Sequence, residues 1–274
     1  MAGRPHRRVR GAPCDLLTVW QRYDSVPRQM HDRRSFIDHC VAASGRLGYQ
    51  NQDRDYLAEH EQRFYATWRL CRRLVTPGRS LLSIGAGGAF VESALAADGA
   101  EVTVVDFPEA MALNAAYYEA SGLKGVAADV SDPSALAQLG EFDVVLAAEI
   151  VEHVPVAPSE LFRSWSACVR RGGRLVVSTP NLGSVSSLLR LLFMRPLLPP
   201  AERAFGPVSF ANEGVHRREY MPSEIRSAFT DAGLQPESVK FTVNRRPHEM
   251  KEAAYLPAQL IPRFRPTMIV AAAK

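Results

Sequence analysis

Glu149, Glu152 and His153 stand together in the run AEIVEHV, and a second histidine, His216, follows 63 residues after His153. At spacings of i, i+3 and i+4 a helical turn would put the first three side chains on one face. Two carboxylates and an imidazole at one point can shuttle a proton or brace a loop by hydrogen bonds. An imidazole titrates near neutral pH, so His153 or His216 is a candidate general base for an acceptor hydroxyl. A second set lies upstream, where the turn Gly85-Ala86-Gly87-Gly88 follows a short apolar run. Glycine lets backbone approach a ligand closely. Asp106 stands 21 residues past Gly85, at the end of EVTVVD. An acid there can hold both hydroxyls of a ribose, so the pair points to a nucleoside cofactor; the plain alternative is a tight turn with a capping acid. A dinucleotide site asks for glycine at the sixth position of G-x-G-x-x-G. That position is Phe90, which argues against NAD.

These residues need elements to position them. Tyr56, Leu57, His60, Phe64, Trp68 and Cys71 recur every three or four residues within a helical stretch over 35–74, which Thr76-Pro77-Gly78 stops. On it, His60 and Arg63 read as an outer or inter-helix face, with a pairing of Arg63 to a cofactor carboxylate as the alternative. Tyr65 and Trp68 read as core. Strand and helix then alternate: strands over 80–84, 101–106, 125–128, 142–148 and 174–178, and helices over 90–97, 109–121 and 158–171, the last closed by Gly172-Gly173. Mostly apolar strands separated by helices predict a parallel sheet covered on both faces.

Residues 183–212 break this rhythm, with a helix over 184–194 followed by Pro196, Pro199 and Pro200. A long irregular stretch inside a compact domain reads as a lid or binding loop. Its Leu188, Leu189, Leu191, Leu192, Phe193 and Met194 would meet an apolar substrate, a partner subunit or the body itself. A helix over 222–232, with Pro at its first turn and Gly233 at its end, precedes strands over 238–243 and 266–272. Between those strands a short helix near 250–255 is expected, and His248 and Tyr255 there are further pocket candidates.

Composition narrows the classes. The 274 residues are 46% hydrophobic and 23% charged, ordinary globular usage that excludes disordered, collagen-like and coiled-coil chains. No apolar run reaches the ~18–20 residues of a membrane span. The first twenty residues are basic without an apolar centre, so no signal peptide is read. Cys14, Cys40, Cys71 and Cys168 show no CxxC spacing and suggest neither a disulfide framework nor a zinc site. A reducing cytoplasm is the expected location. The net charge of +4 divides unevenly: +5 over 1–34, −6 over 35–239 and +5 over 240–274. An acidic body argues against a nucleic-acid substrate, which asks for a basic stripe.

In this frame the chain, over roughly 56–274, resembles the class I S-adenosylmethionine-dependent methyltransferases, specifically the group with an E-x-x-E-H motif after the fourth strand. Leu81-Leu82-Ser83-Ile84-Gly85-Ala86-Gly87-Gly88-Ala89 resembles the first motif, and Asp106-Phe107 the ribose acid and the residue beside the adenine. Asp129-Val130 is similar to the adenine-edge contact, and FDVVLAAEIVEHV over 142–154 to the fourth motif. Residues 171–181 and His216-Arg217-Arg218-Glu219-Tyr220-Met221-Pro222 resemble later segments. Two positions depart: the family often has an acid where Ser83 stands, and Ser or Thr where Met221 precedes the last helix.

The resemblance implies an α/β fold, a Rossmann-like seven-stranded and mostly parallel sheet with one antiparallel C-terminal strand, plus a helical N-terminal cap. The Pro-, Arg- and Gly-flecked composition reads as a flexible basic tail at 1–34, followed by the helical cap at 35–78 and a methyltransferase domain at 79–274 with the lid insertion near 183–212. S-adenosylmethionine is the implied cofactor, bound by Ser83, Gly85, Ala86, Gly87, Asp106, Phe107, Asp129, Val130 and Glu149. Carried over from small-RNA and ubiquinone-pathway methyltransferases, Glu149, Glu152, His153 and His216 would hold Mg²⁺ or Mn²⁺. Carboxylates mixed with imidazoles suit Mn²⁺ better. His153, His216 and Glu149 are the catalytic candidates; a metal-free histidine base and a structural cluster stay open. The expected reaction is methyl transfer to a small-molecule hydroxyl. The alternatives are RNA 2′-O-methylation, a non-catalytic scaffold and, more remotely, a nicotinamide oxidoreductase. A homodimer is compatible with the sequence.

Overall fold

The structure is a computed structural model that describes residues 30, 32–46, 54–130, 132–206, 214–244 and 260–274. Two helices come first, α1 (Arg33–Ser44) and α2 (Arg54–Leu74). Strands β1 (Ser80–Ile84), β2 (Glu101–Asp106), β3 (Lys124–Ala127), β4 (Phe142–Ala148) and β5 (Val169–Pro180) then alternate with α3 (Phe90–Ala97), α4 (Pro108–Ala120), α5 (Pro133–Ala137) and α6 (Pro158–Ala167). After β5 come α7 (Val185–Leu192), α8 (Ala201–Ala204), α9 (Pro222–Asp231), β6 (Gln235–Thr242) and β7 (Thr267–Ala273). The seven strands lie in the order β3-β2-β1-β4-β5-β7-β6. Only β7 runs antiparallel, pairing with β5 on one side and β6 on the other. This is the expected sheet. Its central strands are buried on both faces because helices cover both, which is why their sequences run nearly all apolar.

One face carries α1, α2 and α3. Phe36 stacks on Trp68 at 5.0 Å between ring centres, and Phe64 meets Phe90 edge-on at 5.2 Å. The other face carries α6 and α9, where Phe162 stacks on Phe229 at 4.4 Å. Both faces are closed, so the open edge for a ligand is the carboxyl end of the parallel strands, where Ile84, Asp106 and Ala148 finish.

Several boundaries differ from the sequence reading. Met30 and Asp32, inside the segment read as a tail, are built into the fold. Met30 is fully buried and its N–H donates to Asp98 Oδ1 at 2.8 Å, and Asp32 caps α1 by accepting from the Ser35 N–H. The stretch 35–74, read as largely helical, carries the two helices α1 and α2. The helix expected over 158–171 stops at Ala167, and Gly172-Gly173 belong to β5, which starts five residues early. Gly172 has φ +80°, and a Cβ on Gly173 would sit 2.7 Å from the Asp143 carbonyl oxygen. The two glycines therefore form a bulge in β5, where its register with β4 shifts, rather than a helix stop. The short helix near 250–255, His248, Tyr255, residues 1–29 and the 207–213 part of the lid lie outside the described residues.

Candidate functional site

A cleft of about 980 Å³ opens at the carboxyl edge of the sheet. Its floor is the glycine turn between β1 and α3. Gly85 and Gly87 have φ of +67° and +50°, and a Cβ on Gly85 would overlap Ile150, with Cδ1 at 2.2 Å. Asp106 at the end of β2 accepts the Gly87 N–H on Oδ2 and the Phe107 N–H on Oδ1, both at 2.8 Å. Burial raises its pKa, and those two bonds to the ionised form oppose the rise. Each carboxylate oxygen keeps a further lone pair. Asn114 Nδ2 and the Tyr118 hydroxyl donate to the Gly87 carbonyl and fix the turn from α4.

Gly85, Ala86, Gly87, Asp106, Phe107, Val130 and Glu149 all line the cleft. Ser83 is buried beneath it and donates to Glu92 Oε1 at 2.6 Å. Glu92, in the first turn of α3, is almost fully buried, and desolvation raises its pKa. A carboxyl thus lies beside Ser83 after all, supplied by the next helix. Sequence reading missed Glu92; an acid among apolar residues of a buried helix was the available signal. Asp129 is exposed and does not line the cleft.

The acid–histidine run does not form a helical turn. Residues 149–156 are bends and turns, and Glu149 adopts a left-handed φ of +59°. That conformation separates the two carboxylates. Glu149 Oε2 accepts from Arg63 Nη1 at 2.7 Å, and its Oε1 accepts from the Ser178 hydroxyl at 2.8 Å. Arg63, expected on an outer or inter-helix face of α2, is instead 7% exposed, lines the cleft and also donates to the Tyr56 hydroxyl at 2.9 Å. Burial is the largest single influence and opposes its charge, but the Glu149 carboxylate, the Tyr56 hydroxyl and Glu152 together outweigh it and hold its pKa above the ordinary value.

Glu152 is fully buried and turns the other way. Its Oε2 accepts from the Thr179 hydroxyl at 2.9 Å, and its Oε1 has no hydrogen-bond partner among the described residues. Burial first, and Glu149 second, push its pKa well above the ordinary carboxylate range. His153 Nε2 stands 3.7 Å from that oxygen. His153 Nδ1 lies 3.0 Å from the Val215 carbonyl, which can only accept, so Nδ1 carries the proton and Nε2 offers a lone pair. Burial and the neighbouring His216 lower the His153 pKa to about 4, so the ring is neutral at pH 7. The His153 and His216 rings meet edge-on at 4.8 Å. Glu152, His153 and His216 each offer a donor atom within 4.8 Å of the others; Glu149 is not in that group. Arg217 fixes the loop: its N–H donates to the Glu152 carbonyl and its Nε to the His153 carbonyl, both at 2.7 Å.

A family model described as a methyltransferase domain matches residues 57–239, which span the glycine turn, Asp106 and the acid–histidine run. The chain belongs to this methyltransferase family. With the fold above, it is an S-adenosylmethionine-dependent methyltransferase of class I. The ubiquinone biosynthesis O-methyltransferase of Bordetella avium (strain 197N) is 31% identical to it over 170 residues, 60% of this chain and 65% of that protein's length. The protein of the same name from Pseudomonas paraeruginosa (strain DSM 24068 / PA7) is 30% identical over 169 residues, 59% of this chain and 67% of its own. Solved structures similar to it are more distant and bear on the fold alone. The magnesium protoporphyrin IX methyltransferase of Synechocystis PCC 6803, with bound SAH, has a TM-score of 0.52 at 17% identity and covers 95% of both chains. A structure of the complex between the Haloferax volcanii Trm112 methyltransferase activator and a methyltransferase has a TM-score of 0.56 at 18% identity, over 87% of this chain and 96% of that one. No helix among the described residues of this methyltransferase is long and apolar enough to cross a membrane.

Proposed function

We propose that this methyltransferase transfers the methyl group of S-adenosylmethionine to a hydroxyl oxygen of a small-molecule acceptor, with one divalent cation held by Glu152, His153 and His216. The convergence of those three donors in the same cleft as the glycine turn and Asp106 carries the proposal. The donors fit a cation. Glu152 Oε1 is buried without a partner, and His153 presents an unprotonated nitrogen toward it. A cation bonded at about 2.1 Å to each donor needs pairs within about 4.2 Å, so side-chain movements of a few tenths of an ångström complete the set. One carboxylate with two imidazoles favours Mn²⁺ over Mg²⁺. Glu149 belongs to the cofactor side, since Arg63 and Ser178 hold both its oxygens. The relatives named as O-methyltransferases and the acidic body over 35–239 support oxygen on a small molecule over RNA.

The sulfonium supplies an activated methyl group, and a divalent cation beside the acceptor would lower the pKa of its hydroxyl. The chain's part is placement. Gly85, Ala86 and Gly87 present backbone to the cofactor, and Asp106 turns its free lone pairs to the ribose hydroxyls. Phe107 and Val130 flank the base; Asp129, exposed and outside the cleft lining, takes no part in it. Glu149, held by Arg63, faces the reacting end. His153 has one free lone pair, on Nε2, which would serve the cation when one is held, the hydroxyl proton then passing to solvent; in the metal-free alternative the same nitrogen takes that proton as the acceptor oxygen gains the methyl group. At a pKa of about 4 His153 is a weak base but a competent ligand, which favours the cation over a histidine acting alone.

Calorimetric titration of Mn²⁺ and Mg²⁺ into metal-stripped protein saturated with S-adenosylhomocysteine tests this. One saturable site is expected, tighter for Mn²⁺, lost in His153→Ala and kept in Glu149→Ala. No metal uptake with the analogue still bound would overturn the cation and leave a histidine base or simple positioning. Catechols and vicinal diols are the first acceptors to assay.

A further inference from the structure

The helix α7 turns its polar side to the cleft. Ser184, its N-cap, Ser187 and Arg190 recur at intervals of three, the spacing that shares one helix face, and all three line the cleft. Its leucines point elsewhere: Leu188 and Leu191 are about half exposed, Leu192 is 73% exposed, and none of them lines the cleft. A wall that holds an apolar acceptor would use those leucines, because apolar area buried against a ligand is what stabilises such a complex.

Charge divides the cleft. Asp106, Glu92 and Glu149 lie among the residues around the glycine turn, the last of them paired with Arg63. The segment after β5 supplies cations instead. Arg190 and Arg203 both line the cleft, and neither pairs with a carboxylate among the described residues. Arg190 donates from Nη2 to the Pro196 carbonyl, which leaves its other N–H groups free to meet a ligand. Arg217 sets where Arg203 stands. Its Nη1 donates to the Ala204 carbonyl and its Nε to the His153 carbonyl, so one guanidinium joins α8 to the acid–histidine loop. Arg203, next in the chain to Ala204, is thereby held on the side of the cleft where His153 and His216 meet. Glu219 stands there too, 3.9 Å from His216. Guanidinium groups recognise oxyanions through forked N–H donors, and two of them without acid partners draw anions to that wall. We propose that Arg190 and Arg203 bind an oxyanion, a carboxylate or a phosphate, that the acceptor carries away from its reacting hydroxyl, so that the substrates of this methyltransferase are acidic, hydrophilic small molecules. The inference rests on the reading of the His153 and His216 side as the acceptor site.

Two matched pairs of probes test it by calorimetry on the full chain saturated with S-adenosylhomocysteine: 3,4-dihydroxybenzoate against 3,4-dihydroxybenzamide, and glycerol 3-phosphate against glycerol. At least one acid is expected to bind tenfold or more tighter than its neutral partner. Both arginines are exposed, so that advantage should shrink as salt rises from about 0.05 to about 0.5 M. The acid that binds tells carboxylate from phosphate. The double variant Arg190→Gln, Arg203→Gln should abolish the preference, and Arg195→Gln, exposed and outside the cleft lining, should keep it. Both variants should hold S-adenosylhomocysteine as the wild type does, which separates loss of the acceptor subsite from loss of the fold. Equal binding of acid and neutral probe, no binding of either acid, or a preference kept by the double variant would overturn the proposal. Acids that bind through the two arginines but gain a methyl group at no oxygen, assayed with S-adenosylmethionine, would uphold the anion subsite and overturn the hydroxyl reading instead.

Discussion

Asp106 and the Arg63–Glu149 pair are the residues whose loss should tell most. Asp106 uses both oxygens to hold two backbone N–H groups at 2.8 Å, and only a carboxylate offers acceptors on both sides. Asp106→Asn turns one acceptor into a donor facing an N–H. We expect S-adenosylhomocysteine affinity to fall more than tenfold, read by calorimetry, with a drop of a few degrees in Tm. Arg63 is buried and its carboxylate partner nearly so, at 2.7 Å. Removing one member leaves a buried charge unpaired, at a cost of about 3–5 kcal/mol. Arg63→Ala should therefore destabilise more than the double variant Arg63→Ala, Glu149→Ala does relative to Glu149→Ala alone. Urea denaturation of the four proteins gives the coupling; additive losses would mean the two act separately.

Among the elements, α9 shows how a departure from pattern is absorbed. Met221 occupies the N-cap and has no side-chain oxygen to receive an amide. Glu224, three residues on, instead accepts the Met221 N–H on Oε2 at 2.7 Å and pairs with Arg218. Half of a capping box remains, and it sits where an acid also complements the helix dipole. Glu224→Ala should cost about 1 kcal/mol and speed amide exchange in the first turn of α9, measured by hydrogen exchange. The helix α2 does more than cap. Its Tyr56, Arg63 and Phe64 line the cleft, so it closes the site as well as covering the sheet.

At the scale of the molecule, the N-terminal helices and the sheet share one core, and a histidine sits in the joint. His39 of α1 is mostly buried, with Nε2 3.0 Å from the Ser93 hydroxyl of α3. The Ser93 hydroxyl donates to the Phe90 carbonyl, so it accepts from His39. Burial holds the His39 pKa at about 4, against an ordinary 6.5. Between those values the unfolded chain binds a proton that the folded chain refuses. Stability is full above pH 6.5, falls as pH drops, and has lost up to about 3 kcal/mol near pH 4. His39→Gln should flatten that part of the pH profile in urea denaturation at pH 7.5, 5.5 and 4.5. An equal slope in the variant would remove His39 as its source.

The order of strands and helices, the glycine turn and Asp106 were legible from sequence. Each depends on local periodicity, or on a residue type that one backbone conformation demands. β1, β2, α3 and β4 appear with the bounds the sequence predicts. The Gly172-Gly173 pair was not legible, because a glycine pair reads alike as a helix stop and as a strand bulge until β4 lies beside it. The acid–histidine run was half legible. Its residue types announced a site, but helical spacing put Glu149 on the wrong side. The left-handed backbone at Glu149, with an arginine 86 residues earlier in the chain, turns that carboxylate toward Arg63 and Ser178 and leaves Glu152 facing the histidines. The sequence by itself determined which groups exist and which strands carry them. Only the tertiary structure decided their partners, because a buried charge takes the nearest group that can neutralise it, and nearness across the sheet is a property of the packed chain.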